Sequence, residues 1–334
     1  MTILLDRYSD LVARHLRKTA PRPTSMSGLM GAYHMGWVDR AGRPDAARPG
    51  KLVRPSLCLW ACEAVGADAA LALPVACSLE WVHNFTLVHD DIQDGDRERR
   101  RRETVWSVWG SAQGINAGDA LHALAFELLL GPGPARLRRM RAGRALARAV
   151  REVVEGQCLD LAHEGRPHST PAAYLRMAKA KTGALLGASM EAGALVGGAR
   201  SGVAAGLRRA GELLGQAFQV RDDWLGIWGD PAETGKSRDG DLGRRKVTFP
   251  VVAAYAVMEQ PERRRFRALF ATRGDAEVPE LRAMLERRGA DCLAADAASR
   301  FAGEAIARVR HARLPSTSTG CFEEFARHVA DRQR

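Results

Sequence analysis

Lysine is scarce in this sequence of 334 residues: the 50 basic side chains include only Lys18, Lys51, Lys179, Lys181, Lys236 and Lys246, and all the others are Arg. A chain that writes Arg for ordinary positive charge leaves each remaining Lys in need of a specific reason. Aromatic residues make up 6%, and alternating polar–apolar runs bounded by turn dipeptides are missing, which excludes an all-β protein. Cysteines stand at 58, 62, 77, 158, 292 and 321 without the C-x-x-C pairs of a zinc site or redox motif, so buried free thiols in a reducing compartment are expected. Uncharged apolar text never reaches about 18 residues, since the segment 181–198 is interrupted by Glu191, and no transmembrane segment is expected. The N-terminus has charges within its first seven residues and no apolar core of secretory length, which points to a cytoplasmic location.

What is present reads as helix. Apolar residues recur at three and four spacing, as in Leu121, Leu124, Leu128 and Leu129. Ten or more helices are predicted, with breaks near 20–28, 40–50, 66–74, 131–135, 164–171, 229–246, 271–279 and 314–320. None of these breaks has the length of an inter-domain linker, so a single all-α domain over 1–334 is expected. The net charge of +11 suits a polyanion or an anionic small molecule. No helix-turn-helix, zinc or aromatic-basic platform signature accompanies it, so no nucleic-acid partner is expected. The Arg-rich text 136–151 reads as a solvated helix face.

Two acidic constellations stand out. His89-Asp90-Asp91-Ile92-Gln93-Asp94 ends the apolar helical text 76–88, and on a helix Asp90 and Asp94 lie one turn apart with Asp91 beside them. Carboxylates so placed repel one another unless a cation joins them, and oxygen donors that leave waters in place suit Mg²⁺. Asp96-Arg97-Glu98-Arg99-Arg100-Arg101-Arg102 follows at once, and Arg forks match phosphate oxygens. A metal-bound polyphosphate lying between acids and Arg would use both. The second constellation, Asp222-Asp223, follows helical text, with Asp230, Lys236, Asp239, Asp241 and Lys246 behind it. Two such pairs facing one another across a cavity with metal ions between them would make a specific site.

The text Leu87-Val88-His89-Asp90-Asp91-Ile92-Gln93-Asp94, with Arg99-Arg100 behind it, and Phe218-Gln219-Val220-Arg221-Asp222-Asp223, with Gly235-Lys236 behind that, resembles the two aspartate-rich motifs of trans-isoprenyl diphosphate synthases. Gly50-Lys51-Leu52-Val53-Arg54-Pro55, Gly118-Asp119, Gly156-Gln157 and Lys181-Thr182 fit further motifs in the family's order, and the resemblance runs from about residue 28 to 330. It places four of the six Lys, at 51, 181, 236 and 246, where the family holds diphosphate.

The resemblance implies the isoprenoid synthase fold, an antiparallel helix barrel around a deep apolar pocket, and a homodimer. It implies condensation of isopentenyl diphosphate with an allylic diphosphate by a short-chain prenyltransferase. It also implies Mg²⁺ as cofactor, three ions per active site, held by Asp90, Asp91, Asp94 and Asp222. Asp223, Lys181 and Lys236 would join these in catalysis, with Arg99, Thr182, Gln219 and Lys246 on the leaving group. Lys51, Arg54, His83 and Arg100 would hold isopentenyl diphosphate, and His83 lies two helical turns before Asp90 on the same face. Phe85, followed by Thr86, matches the position that limits product length and resembles a geranylgeranyl (C20) more than a farnesyl (C15) synthase.

The sequence departs from the family's pattern in places. Gly226 replaces the last Asp of the second motif, so that one metal ligand is missing or supplied by water or by Asp230; Leu52 stands where Arg is common, and Arg101-Arg102-Glu103 replaces a Gly-x-Pro segment. A farnesyl diphosphate synthase, a class I terpene cyclase of the same fold and a non-catalytic subunit are the alternatives. The intact first motif opposes the last of these. Lys51, Arg54, His83 and Arg100 together oppose the cyclase.

Overall fold

Helix starts are set by side chains placed just ahead of apolar runs. Ser25 accepts a hydrogen bond from the Gly28 N–H at the head of helix Met26–His34, and Thr170 accepts from the Ala173 N–H at the head of Pro171–Ala178. Proline occupies the first turn of helices Leu73–Gln93, Phe249–Val257, Gln260–Ala271 and Val278–Arg287, where its missing N–H costs no hydrogen bond. The computed structural model describes residues 2–45, 50–230, 239–272 and 274–332. These residues are predominantly α-helical, the all-α class expected from the sequence.

One short hairpin departs from the all-helix text. Glu98–Arg99 pairs antiparallel with Arg102–Glu103, and the turn residues Arg100 and Arg101 have φ of 54° and 63°. Positive φ at both central residues is the two-residue turn that Asn-Gly normally signals; two Arg hide it from a sequence reading. The break expected at 314–320 is also shorter than anticipated, because helix Ser316–Asp331 begins directly after Pro315. Packing of Phe322 and Phe325 outweighs the weak helix propensity of its Ser-Thr-Ser-Thr-Gly opening.

The chain divides into two compact units: Met1–Ala147 with Ala188–Ala205, and Arg148–Gly187 with Gly206–Arg334. The divisions fall inside helices Arg136–His163, Ala184–Gly197 and Ser201–Trp228. In the first unit, Leu73–Gln93 packs on Ser111–Leu130 and on Val53–Ala64, burying Leu57, Leu59, Leu79, Trp81 and Leu121. Each of these contributes about 1.5–3 kcal/mol of hydrophobic burial. In the second unit, Ala290–His311 packs on Ser316–Asp331 and Phe249–Val257, around Val251, Val309, Phe322 and Phe325.

Among the described residues one helical stretch, Ala69–Gln93, is long and apolar enough to cross a membrane; 61% of its most apolar window is buried inside the protein, and it carries Glu80, Asp90 and Asp91. The apolar side chains of this stretch serve the core of the first unit.

The cysteines need a partial correction. Cys58, Cys62 and Cys77 are buried, and burial raises their thiols, Cys62 to about 11, but Cys158 and Cys292 are exposed and Cys321 is half-buried. The latter three occupy outward positions of their helices. Along 136–151, Arg136, Arg141, Arg144 and Arg151 are exposed as expected, whereas buried Arg139 donates to the Gly131 carbonyl at 2.6 Å.

Candidate active site

Helix Leu73–Gln93 ends in the first acidic motif. Asp91 points inward, 1% exposed, and Arg99 Nε donates to its Oδ1 at 2.7 Å. Burial pushes this carboxyl up to about 6 although Arg99 pulls it down. Asp91 Oδ2 is buried with no hydrogen-bond partner. Asp90 is half-buried and Asp94 exposed, and the Asp94 N–H donates to the Asp90 carbonyl at 2.8 Å. That helical bond preserves the one-turn spacing of the two carboxylates.

The Arg run after the motif does not act as one clamp. Arg102 donates to the carbonyls of Tyr33 at 3.0 Å and Val38 at 2.8 Å and lies 4.3 Å over the Tyr33 ring, so it fastens the hairpin. Arg97 covers Trp106 at 5.4 Å. Arg99 turns to Asp91, and the Arg100 guanidinium lies over Gly50, where a Cβ would come within 2.8 Å of Nη2. Gly50 precedes the exposed Lys51, so the hairpin brings Arg100 beside the lysine segment.

Behind these cations is a buried polar chain. Glu80 is 3% exposed and accepts from Asn84 Nδ2 at 3.2 Å, while His34 Nε2 meets Asn84 Oδ1 at 3.1 Å. Burial raises the Glu80 carboxyl, opposed by Arg54, and lowers the Arg54 guanidinium to about 10. Burial, with Arg54, Arg100 and Arg99 nearby, holds His83 neutral well below its ordinary value. One cleft is lined by His34, Asp91, Arg99, Arg100 and Arg102, and a second by Arg17, Trp37, Glu80, Asn84 and Arg100.

Burial and the neighbouring Arg side chains also lower His34 from 6.5 to about 3. The unfolded chain therefore takes up a proton near pH 6.5 that the fold refuses until about pH 3, so stability is lost as pH falls through this window. Each such histidine contributes up to about 1.4 kcal/mol per pH unit, and His83 adds to the same slope. His34→Gln, which keeps a donor toward Asn84, is expected to flatten the fall in urea-unfolding free energy between about pH 6 and 4.5. An unchanged slope would contradict the assignment.

Phe85 is 9% exposed and packs on His89 at 5.1 Å and His122 at 5.0 Å, with Phe126 edge-on to His122 at 5.1 Å. Thr86 is half-buried and donates to the His83 carbonyl at 2.7 Å.

The second unit builds its site around a five-residue π turn, Lys179–Gly183, of the kind that often marks functional positions. Lys181 pairs with Asp160 at 2.6 Å, and Thr182 Oγ1 donates to Gln219 Oε1 at 2.7 Å. Gly156 must be glycine there, since a Cβ would sit 2.2 Å from the Lys181 nitrogen. Gln219 Nε2 donates to Asp223 Oδ1 at 3.0 Å, and Asp223 Oδ2 accepts from the Phe249 N–H at 2.8 Å and from the Tyr174 hydroxyl. Burial pushes the Asp223 carboxyl up to about 7, against the pull of Lys246, Tyr174 and the Phe249 N–H. For Lys246, burial alone would lower the ammonium; Asp241, Asp223, Asp160 and Asp222 outweigh it and raise it. Asp222 is 39% exposed and meets Arg332 Nη2 at 3.2 Å, with Arg332 itself buried 3.9 Å over Phe218.

Asp91, Arg99, Arg100, Arg54 and His83 thus belong to one neighbourhood in the first unit, and Lys181, Thr182, Gln219, Asp223 and Lys246 to one in the second. Lys236 lies outside the described residues. Lys179, which the resemblance leaves without a role, pairs with Glu212 at 3.0 Å while remaining 54% exposed. Sequence reasoning missed Glu80, Tyr174, Asp160 and Arg332, and named Gln157 only as part of a motif, without a role. Gln157 and Asp160 had a signal: three residues apart on one helix, they share a face, and both side-chain amide atoms of Gln157 are buried without a partner. Arg332 had none, because its contact spans most of the second unit's chain length.

A family model described as "Polyprenyl synthetase" matches residues 36–287. A (2E,6E)-farnesyl diphosphate synthase from Mycobacterium tuberculosis is 39% identical over 329 residues, 97% of this chain and 91% of that one. A geranylgeranyl diphosphate synthase from the same organism is 48% identical over 225 residues, 67% of this chain and 64% of that one. The crystal structure of a polyprenyl synthetase from Streptomyces coelicolor superposes with a TM-score of 0.92 at 38% identity, covering 98% of both chains.

Proposed function

The chain belongs to the polyprenyl synthetase family, and from that premise we propose that it is a short-chain prenyltransferase that joins isopentenyl diphosphate head-to-tail to an allylic diphosphate. Geranylgeranyl diphosphate is the main product in this reading. The observation that carries it is the cleft in which Asp91, with one oxygen unpartnered, meets Arg99 and Arg100. Acids and guanidinium groups this close suit a metal-complexed diphosphate, which bridges them.

Mg²⁺ fits the donors: they are carboxylates, and Asp91 Oδ2 is buried without a partner. Among the described residues no three His, Cys, Asp or Glu side chains are gathered into an ion cage, and Mg²⁺ needs few protein ligands when phosphate oxygens and waters supply the rest. Asp90, Asp91, Asp94 and Asp222 would hold it. Bound there, Mg²⁺ would neutralise charge on the departing diphosphate.

The chain's own groups carry the rest. Lys181, Lys236, Lys246 and Arg99, with Thr182 and Gln219, hold the allylic diphosphate and stabilise the charge that grows as its carbon–oxygen bond breaks. Lys51, Arg54, His83 and Arg100 hold isopentenyl diphosphate so that its double bond donates an electron pair to the allylic cation. The proton then lost passes to the departing diphosphate, and no protein base is required. The enzyme acts as a cytoplasmic homodimer in this reading.

Phe85 blocks further growth of the chain. Phe85→Ala is expected to shift the main product at least one five-carbon unit longer by mass spectrometry; an unchanged distribution would remove Phe85 as the floor. A farnesyl product is the second reading, favoured by the packing of Phe85 against both His89 and His122, which would brace the ring against displacement by a longer chain. Pyrophosphate release tests the reaction type. It should require isopentenyl and allylic diphosphates together, whereas release from an allylic diphosphate alone would indicate the cyclase.

A further inference from the structure

Arg100 stands in the turn of the hairpin with φ of 54°, a left-handed conformation that glycine or asparagine adopts more easily. Its guanidinium lies against Gly50 and lines two clefts at once. The first cleft also holds His34, Asp91 and Arg99, and the second holds Glu80 and Asn84. A long side chain loses much rotamer freedom when it is fixed in such a place, so partners must hold it there.

One hydrogen-bonded chain likewise reaches both clefts. Asn84 is 1% exposed, and its Nδ2 donates to the Glu80 carbonyl at 2.8 Å and to Glu80 Oε1 at 3.2 Å. With the amide nitrogen committed to these two acceptors, Asn84 Oδ1 faces His34 Nε2 at 3.1 Å and can only accept. His34 therefore carries its proton on Nε2, and its burial keeps the ring neutral. The chain runs in one direction, from His34 through Asn84 to a Glu80 carboxylate that is 3% exposed in the same cleft as Arg100. A carboxylate so buried is costly unless cations stand near it, and Arg54 and Arg100 both oppose the effect of burial on Glu80. His34 closes helix Met26–His34, ahead of every motif that the resemblance uses, so none of them signals it.

We propose that His34, Asn84 and Glu80 are positioning residues that hold Arg100 in place for the diphosphate it shares with Lys51, Arg54 and His83. That this anion is isopentenyl diphosphate rests on the prenyltransferase reading; the ordering of Arg100 does not.

The test is titration calorimetry of the full chain with inorganic pyrophosphate in EDTA, where no metal assists the acidic motifs, with Arg100→Gln as the reference loss. Glu80→Gln keeps an acceptor for Asn84 and removes the charge, while His34→Leu removes the Nε2 donor. Each is expected to weaken pyrophosphate about tenfold and, with Mg²⁺ present, to raise the KM for isopentenyl diphosphate about tenfold with a smaller change in kcat. His34→Gln keeps a donor toward Asn84 and is expected to bind within about threefold of the wild type. Adding Glu80→Gln to Arg100→Gln is expected to cost little more, because a residue that acts through Arg100 has nothing left to hold. Melting temperatures identify any variant that fails to fold, and if Glu80→Gln is one, the His34 pair decides. Binding within about twofold of the wild type in folded Glu80→Gln, fully additive losses with Arg100→Gln, or equal losses in His34→Gln and His34→Leu would overturn the proposal. A wild type that forms no prenyl product while the variants lose pyrophosphate as expected would sink the prenyltransferase reading and uphold this one.

Discussion

Asp90→Ala is expected to lower kcat by about a thousandfold or more, equivalent to about 4 kcal/mol of transition-state stabilisation, with little change in melting temperature. The asymmetry follows from where the side chain sits. Asp90 is half-buried at the end of helix Leu73–Gln93, and neither the core around Leu79, Trp81 and Val82 nor the Arg99–Asp91 pair depends on it. Its removal spares the packing but deletes a carboxylate that the proposed function assigns to the metal-complexed leaving group. Steady-state kinetics over a range of Mg²⁺ concentrations and a thermal melt measure the two quantities separately. A kcat within about tenfold of the wild type would remove Asp90 from the metal assignment.

Asp223→Ala is expected to act differently, destabilising the protein by about 3–5 kcal/mol as well as abolishing turnover. Asp223 is 2% exposed, and its two oxygens satisfy Gln219 Nε2, the Phe249 N–H and the Tyr174 hydroxyl. Alanine would leave these donors and Lys246 buried without that partner, and unmade hydrogen bonds of this kind are each expensive. Because burial pushes the Asp223 carboxyl up to about 7, its charge is costly where it stands. Asp223→Asn, which keeps an acceptor and loses the charge, is therefore expected to cost much less stability than Asp223→Ala. Urea unfolding of the pair tests this, and equal losses would show that the charge and not the hydrogen-bond network holds the second unit's site together.

The sequence made the helices legible because three-and-four apolar spacing is a local property, and it marked Asp90, Asp91, Asp94 and Asp222 because acids at the end of apolar text need a reason. Lysine scarcity was informative for a physical reason as well. Lys181 pairs with Asp160, and Lys246 sits among four acids, so these lysines occupy built environments instead of a solvated face. The hairpin at 98–103 was not legible, since Arg100 and Arg101 adopt left-handed conformations for which their residue type gives no signal. Nor was the division of the Arg run: Arg102 serves Tyr33 and Val38, and only the folded register distinguishes it from Arg99 and Arg100. Gly226 read as a metal ligand missing or supplied by water or Asp230, and the Asp241 carboxylate beside it could be found only in three dimensions. Tyr174 and Glu80 were invisible for a similar reason, each being an ordinary helical residue until its buried partner is known.

The central claim is elongation, and the most direct measurement is the mass of the product. Purified protein with Mg²⁺ and isopentenyl diphosphate, given dimethylallyl, geranyl or farnesyl diphosphate in turn, is predicted to yield prenyl diphosphates longer by whole five-carbon units and ending at geranylgeranyl diphosphate. Recovery of the allylic substrates unextended, or their conversion to hydrocarbon without uptake of isopentenyl diphosphate, would contradict the account.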